Sequence, residues 1–321
     1  MTPLVSPALV VPHPVNSRFS SAPVVLAFRI MNATARCFSL ILISGSAFAT
    51  GIFAQSPKVD FPQASPTATL KQHIGLTDIE IVYSRPSVKG RVIYGGLVPY
   101  NVVWRTGANA STKISFSTPV KLNGNEIPAG KYALYTIPSE QEWTIILSKD
   151  IAGNIFNYNA TNDLVRFKVT PVQLADRSIE TFVIEFNHIR DESAVINLAW
   201  DKTVVPIKLE LDVASKVIPQ IEAAMTSTEK KDAGLYYQSA MFYFNHDLDL
   251  KKALSWLDAG LADKPRIAYE LLNLKARILA KQGDKVGAIA AAKESTELAI
   301  KAEGPSSSFA RMNQDLISSL H

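Results

Sequence analysis

The residues best suited to chemistry lie in a stretch of 45 residues, Ile81 to Asn125, that contains no Asp or Glu. This stretch is rich in arginine and aromatic residues. A guanidinium group presents a rigid fork of donors that fits a carboxylate or phosphate and also stacks on aromatic rings. We therefore expect a surface for an anionic or saccharide ligand, formed by Arg85, Lys89, Arg91, Tyr94, Trp104, Arg105 and Asn109.

A structural role for the same arginines is the alternative hypothesis. A long ordered segment has many backbone carbonyl groups that need hydrogen-bond donors. In that case the arginines pair with carboxylates of other strands, such as Glu80, Glu185 or Asp163, and cap loop carbonyls. Trp104 by itself is more typical of a core residue than of an exposed platform.

Catalytic motifs are not found. The histidines after the predicted signal peptide are His73, His188, His246 and His321, and no two of them stand four residues apart. There is no HExxH, GxSxG, GxGxxG or GxxxxGK[ST] pattern. The sequence thus predicts no catalytic residue, no metal site and no cofactor. A carboxylate pair for glycoside hydrolysis stays open, because sequence does not reveal spatial separation.

Composition limits the partners. The formal net charge of the 321 residues is only +4, which does not indicate nucleic-acid binding. Hydrophobic residues make up 47% of the chain, enough for a substantial core. The single cysteine, Cys37, excludes a disulfide scaffold.

The N-terminal region resembles a secretory leader. Residues 31–54 combine a positive start at Arg36, an apolar run from Phe38 to Phe53 and small residues before Ala54. The run is about 16 residues long, short of the roughly 20 that span a bilayer. We expect cleavage near Ala54, a periplasmic or secreted location in a bacterium and no stable membrane span afterwards; an uncleaved membrane anchor is the alternative. Residues 1–30 are interpreted as an extension from a start site assigned too early, with Met31 as the true initiator.

Two parts follow, with different periodicities. Residues 55–211 hold about ten short strands with alternating apolar and polar residues, which predicts an antiparallel β sandwich. Asn123-Gly124 is typical of a type I′ hairpin turn. Residues 212–321 have the 3.6-residue period of helices, and Asp249 and Asp284 begin segments that repeat 35 residues apart. This pattern predicts an all-α, tetratricopeptide-like helical domain.

The motifs of the acid-free stretch also resemble those of a known family. Tyr-Ser-Arg-Pro-Ser-x-Lys-Gly-Arg, Gly-Gly-x-Val-Pro-Tyr, Val-Trp-Arg-Thr-Gly-Ala-Asn and Ile-Pro-Ala-Gly-Lys-Tyr-Ala-Leu-Tyr-Thr-Ile-Pro are similar to the DUF2911 family over about residues 56–211. The resemblance implies an exported bacterial protein and no known biochemical activity. The family's signature positions fall on Arg85, Pro86, Gly90, Arg91, Pro99, Trp104, Arg105, Gly107, Ala108 and Asn109.

Together these features predict an exported, non-catalytic binding or interaction protein of the bacterial envelope. Its ligand would be a small anion or a saccharide, and the helical repeats would dock a protein partner or brace the sandwich. A hydrolase acting on envelope polymers and a purely structural envelope protein are the alternatives.

Overall fold

The computed structural model describes Asp60–His321. The predicted signal peptide and the extension before it lie outside the described residues. Twelve strands come first: β1 Thr67–Ile74, β2 Thr77–Ser84, β3 Thr112–Phe116, β4 Val120–Leu122, β5 Asn125–Ile127, β6 Gly130–Ile137, β7 Trp143–Ser148, β8 Asp163–Val169, β9 Val172–Gln173, β10 Ile179–Asn187, β11 Ser193–Asp201 and β12 Thr203–Leu211. Six helices follow: α1 Ala214–Thr226, α2 Ala233–Asn245, α3 Leu250–Leu261, α4 Ala268–Lys281, α5 Lys285–Glu303 and α6 Ser308–Leu320.

The strands form two antiparallel sheets, as predicted. The first has the order β1-β2-β3-β6-β7-β8, and the second has the order β10-β11-β12-β4-β5 with β9 beside β12. Side chains that alternate toward the inside fill the space between the sheets, where Trp143, Phe182 and Trp200 are almost fully buried. The ten predicted strands do not include β5 and β9, which are held by pairing with β4 and β12.

The β4–β5 hairpin shows how a local motif sets the register. Asn123 and Gly124 both have positive φ angles, 46° and 79°. This conformation is that of a type I′ turn, whose twist matches that of the flanking strands. Leu122 consequently pairs with Asn125, and the hairpin adds to the second sheet beside β12.

Aspartate side chains cap the N-termini of three of the helices. Asp232, Asp249 and Asp284 each accept hydrogen bonds from backbone N–H groups in the first turn of α2, α3 and α5. These N–H groups have no partner within the helix, so a side-chain cap stabilises each start by about 1 kcal/mol.

Close packing between the helices depends on a small residue. A Cβ atom on Gly260 of α3 would lie 2.7 Å from Leu271 Cδ2 and 3.0 Å from Tyr236 Cβ. Helices α2, α3 and α4 therefore approach one another at a point where no side chain fits.

Within the described residues, no helix is long and apolar enough to cross a bilayer. The tetratricopeptide-like character of this region remains a prediction.

A carboxylate from the sandwich caps the first helix. Val213, at the N-cap of α1, makes no side-chain capping bond. Instead Glu192 Oε1, in the turn between β10 and β11, accepts from the N–H groups of Val213 at 3.1 Å and Ala214 at 2.6 Å. Val217 of α1 and Phe242 of α2 also pack against the core of the sandwich. The helical part is thus attached to the sandwich by both polar and apolar contacts.

Candidate functional site

The segment between β2 and β3, residues 85–111, is named here the arginine loop. It first crosses from one sheet to the other: the N–H of Phe182 in β10 donates to Pro86 O at 2.9 Å, and the N–H of Val88 donates to Glu180 O at 2.7 Å. Ser87 forms a bridge with Thr181. The start of the loop therefore closes one side of the sandwich, which holds its arginines in a fixed frame.

Arg85 is half-buried at the start of this crossing. Its Nε donates to Phe182 O at 3.0 Å. Among the described residues, its two terminal nitrogens have no hydrogen-bond partner. One side of the guanidinium is therefore fixed by the backbone, and the terminal amino groups remain available.

Arg91 is exposed and folds back on its own turn. Its Nε donates to Val88 O at 3.0 Å and one terminal nitrogen donates to Ser87 O at 2.5 Å. The other terminal nitrogen has no partner within Asp60–His321. Lys89, which has a positive φ of 47°, is exposed beside it, and Glu180 approaches its backbone N–H rather than its ammonium group.

Arg105 has the least satisfied donor of the loop. Its Nε is buried and has no hydrogen-bond partner in the described part of the chain. The next residue, Thr106, is fully buried and has a φ of 54°, a strained angle for a β-branched side chain. Strain of this kind concentrates at functional positions and persists only where the surroundings enforce it. Here Thr112 enforces it, with its Oγ1 donating to Thr106 O at 2.6 Å and its N–H donating to Arg105 O at 3.1 Å.

Asn109 lies at the mouth of a cavity of about 350 Å³ near the end of β2. Its Nδ2 donates to Ser65 O at 3.0 Å, and Ser84 Oγ is 3.4 Å from the same nitrogen. Because the N–H of Arg85 donates to Pro66 O, the predicted residues Arg85 and Asn109 are held by the same short segment.

The two aromatic residues of the predicted site lie elsewhere. Trp104 is 9% exposed in the core, and its Nε1 donates to Gly107 O at 3.0 Å. Tyr94 packs edge-on against Trp143, with ring centroids 4.9 Å apart. Burial raises the pKa of Tyr94, and the charge of Asp201 adds to the shift. Neither ring is therefore an open platform in this conformation.

The carboxylates named in the structural hypothesis interact with other groups. Glu80 pairs with Lys71 at 2.9 Å, and Asp163 pairs with Arg166 at 2.6 Å. Glu185 accepts a hydrogen bond from within its own strand. The part of that hypothesis in which the arginines cap loop carbonyls agrees with the contacts of Arg91, whereas Arg85 caps a carbonyl of strand β10.

No carboxylate of the described residues forms an ion pair with Arg85, Lys89, Arg91 or Arg105. The acid-free stretch therefore keeps its positive charge in the fold. Lys121 of the same stretch differs, because its ammonium group pairs with Glu126 at 2.9 Å.

A polar cleft of about 560 Å³ between the sandwich and the helices was missed by sequence reasoning. His246, at the end of α2, has its Nδ1 3.4 Å from Glu192 Oε2, and its ring stacks on Phe242. Glu192 and His246 are far apart in sequence and share no motif, so only the fold brings them together. Among the described residues, no group of three His, Cys, Asp or Glu side chains is arranged to hold a metal ion.

Over Asp60–His321 the protein is thus a two-sheet sandwich followed by helices, with a loop whose cationic side chains form no ion pair inside this range. Residues 65–209 match the model of the family DUF2911, described as a protein of unknown function. This match covers almost all of the sandwich and supports the resemblance seen in the motifs, while the helices lie outside it. Comparison with curated proteins and with solved structures found no significant match.

Proposed function

We propose that this protein is a non-catalytic, anion-binding protein of the bacterial envelope, with its ligand site on the arginine loop. One observation carries the proposal: four cationic side chains of the loop lack carboxylate partners among the described residues, although backbone contacts orient two of the guanidinium groups. An oriented guanidinium loses little further entropy when it binds an anion.

An anionic ligand is favoured over a neutral saccharide. Sugar binding commonly uses an exposed aromatic face, whereas Trp104 is buried in the core and the half-buried Tyr94 packs its ring against Trp143. Arg85, Arg91 and Arg105 retain donors suited to the oxygen atoms of a phosphate or carboxylate. The chemical class we propose is therefore a small phosphate or carboxylate compound.

Export to the envelope is the second part of the proposal and rests on the leader-like residues 31–54. Mass spectrometry of the protein from a bacterial envelope fraction should find a chain that begins near Gln55. A chain that retains residues 1–54 would contradict export with cleavage. In this proposal the helical domain docks a protein partner or braces the sandwich.

A structural envelope protein is the competing function, and the carbonyl contacts of Arg91 favour it. The two functions differ in what the arginines do when no ligand is present. In the structural case their removal weakens the fold, whereas in the binding case it removes affinity alone.

Isothermal titration calorimetry with inorganic phosphate, citrate and glucose tests the binding function. We expect phosphate or citrate to bind and glucose not to bind. Arg105→Gln should weaken binding roughly tenfold to a hundredfold, since a charge-assisted hydrogen bond contributes about 1.5–3 kcal/mol. Lys121→Gln is the matched control, because this cation is already paired with Glu126. Absence of binding by both anions at millimolar concentration would contradict the proposal.

A further inference from the structure

The arginine loop also holds three aliphatic side chains out in solvent. Val92 is 73% exposed, Leu97 47% and Val102 53%, and these three residues are named here the apolar tip. Exposed aliphatic residues scattered singly over a surface need no explanation. Here three occur within eleven residues of one loop, and two of them, Val92 and Leu97, are joined by a backbone hydrogen bond, so the loop offers a candidate contact surface.

The apolar tip belongs to an ordered part of the loop. The N–H of Leu97 donates to Val92 O at 3.0 Å, which holds these two residues next to each other. Ile93 and Val98, each the next residue in the chain, are buried in the core at 1% and 4% exposure. The buried side chains of Ile93 and Val98 therefore anchor the turn in the core, and Val92 and Leu97 are held on its solvent side.

Two unpaired cations stand beside the tip. Lys89 and Arg91 are both exposed, and neither forms an ion pair within Asp60–His321. Glu180 accepts a hydrogen bond from the backbone N–H of Lys89 at 3.0 Å, which leaves the ammonium group of Lys89 itself without an ion pair in the described residues. A partner for this surface must have an apolar region that accepts aliphatic side chains, with negatively charged groups next to it.

We propose that the apolar tip, with Lys89 and Arg91, docks the protein on an anionic phospholipid surface. Such a surface accepts aliphatic side chains at the boundary of its acyl chains and presents phosphate groups to flanking cations. The proposal rests on the proposed function to the extent that Lys89 and Arg91 act as anion-binding groups in both. It differs in its use of Val92, Leu97 and Val102, which a small soluble anion does not need.

A local probe tests this docking in the chain that begins at Gln55, the expected product of cleavage, because the apolar run from Phe38 to Phe53 would itself bind vesicles. This chain has no cysteine of its own, and Leu97→Cys is labelled with an environment-sensitive nitrobenzoxadiazole dye. Vesicles of phosphatidylglycerol and phosphatidylcholine are compared with vesicles of phosphatidylcholine alone. We expect a blue shift, and quenching by nitroxide-labelled lipid, only with the anionic vesicles. Both effects should decline as salt is added, because the contact is partly electrostatic.

Leu76→Cys is the matched control. Leu76 is 44% exposed, close to the value for Leu97, but it lies in the turn between β1 and β2. Its dye should not respond to either kind of vesicle. Equal responses of the two dyes would overturn the proposal, because they would indicate general adsorption of the chain. A dye at position 97 that stays in water with anionic vesicles would overturn it as well, and would favour a protein as the occupant of the tip.

Charge removal supplies a second measurement. Lys89→Gln and Arg91→Gln should each lower the vesicle affinity roughly fivefold, the effect expected for one cation near an anionic membrane. Phosphate titration without vesicles separates this proposal from the proposed function. If phosphate binds and the dye does not respond, the docking proposal fails alone. If the dye responds and no anion binds in solution, the proposed function fails alone.

Discussion

The indole rings of Trp104 and Trp200 stack in the core with centroids 5.9 Å apart and an angle of 17° between their planes. Trp104 belongs to the arginine loop, whereas Trp200 belongs to β11 of the second sheet. Trp104 also bridges to Thr136 of β6 in the first sheet. One residue therefore ties the loop to both sheets, which explains how a loop of this length stays ordered.

Trp104→Ala should lower the free energy of unfolding by about 3–5 kcal/mol, because it removes a large buried ring and leaves a cavity. Urea denaturation followed by circular dichroism measures this change. Val102→Ala, two residues earlier and 53% exposed, is the control and should change stability by no more than about 0.5 kcal/mol. A loss below about 1 kcal/mol for Trp104→Ala would argue against its position in the core.

Gly260 and Gly234 offer a matched pair of helical glycines. Gly260→Ala should destabilise the protein by about 1–3 kcal/mol, because its Cβ would overlap Leu271 and Tyr236. At Gly234 the nearest atom to such a Cβ is Asp232 Oδ1 at 3.3 Å, the capping oxygen of α2. This flexible side chain needs to shift by only a few tenths of an ångström, which offsets the gain in helix propensity from Gly to Ala, so Gly234→Ala should change the stability by less than about 1 kcal/mol. Thermal melting of both variants tests the close approach of α2, α3 and α4. Equal melting temperatures for the two would contradict it.

Glu222 of α1 connects this helix to the next two. Its Oε1 accepts hydrogen bonds from Lys252 Nζ at 2.6 Å and Tyr243 Oη at 2.5 Å. These contacts, that of Lys252 first, hold the pKa of Glu222 below its ordinary value of 4.5. A carboxyl group whose pKa is lowered by folding stabilises the native state above its unfolded pKa and loses this effect as the pH falls through its folded pKa.

Glu222→Gln should therefore be less stable than the parent at pH 7, and the difference should shrink as the pH falls below about 4.5. Urea unfolding at a series of pH values measures this. Glu294→Gln on α5, a residue that is exposed, is the control and should change the stability by no more than about 0.5 kcal/mol. A difference between Glu222→Gln and the parent that stays constant down to pH 3 would contradict the role of the charge.

Much of the fold follows from local patterns, because alternation and turn chemistry act over a few residues. The strands precede the helices, as the change of periodicity predicts, and Asn123-Gly124 forms the predicted turn. Strands β5 and β9, of three and two residues, are held by pairing with β4 and β12 rather than by their own pattern. Their existence depends on neighbours that a local pattern does not include.

The candidate site was predictable only as a region. The acid-free stretch is visible in the sequence, but the atoms that contact each arginine depend on tertiary structure. Arg85 donates to the carbonyl of Phe182, almost one hundred residues later in the sequence. Trp104 stacks on Trp200, which is separated from it by a similar number of residues. Whether the seven predicted residues bind a ligand remains a prediction.

The cationic side chains of the arginine loop are proposed to bind an anionic ligand rather than to stabilise the fold. The most direct test of this claim compares urea unfolding of the parent and Arg105→Ala, each with and without phosphate at constant ionic strength. Without phosphate the two should agree within about 1 kcal/mol, since the variant removes a buried donor that has no partner in the described residues. Phosphate should then stabilise the parent by more than the variant, because a ligand stabilises only the state that binds it. A variant that loses about 3–5 kcal/mol without phosphate, as expected when a buried ionic contact is broken, and that responds to phosphate as the parent does, would contradict the claim.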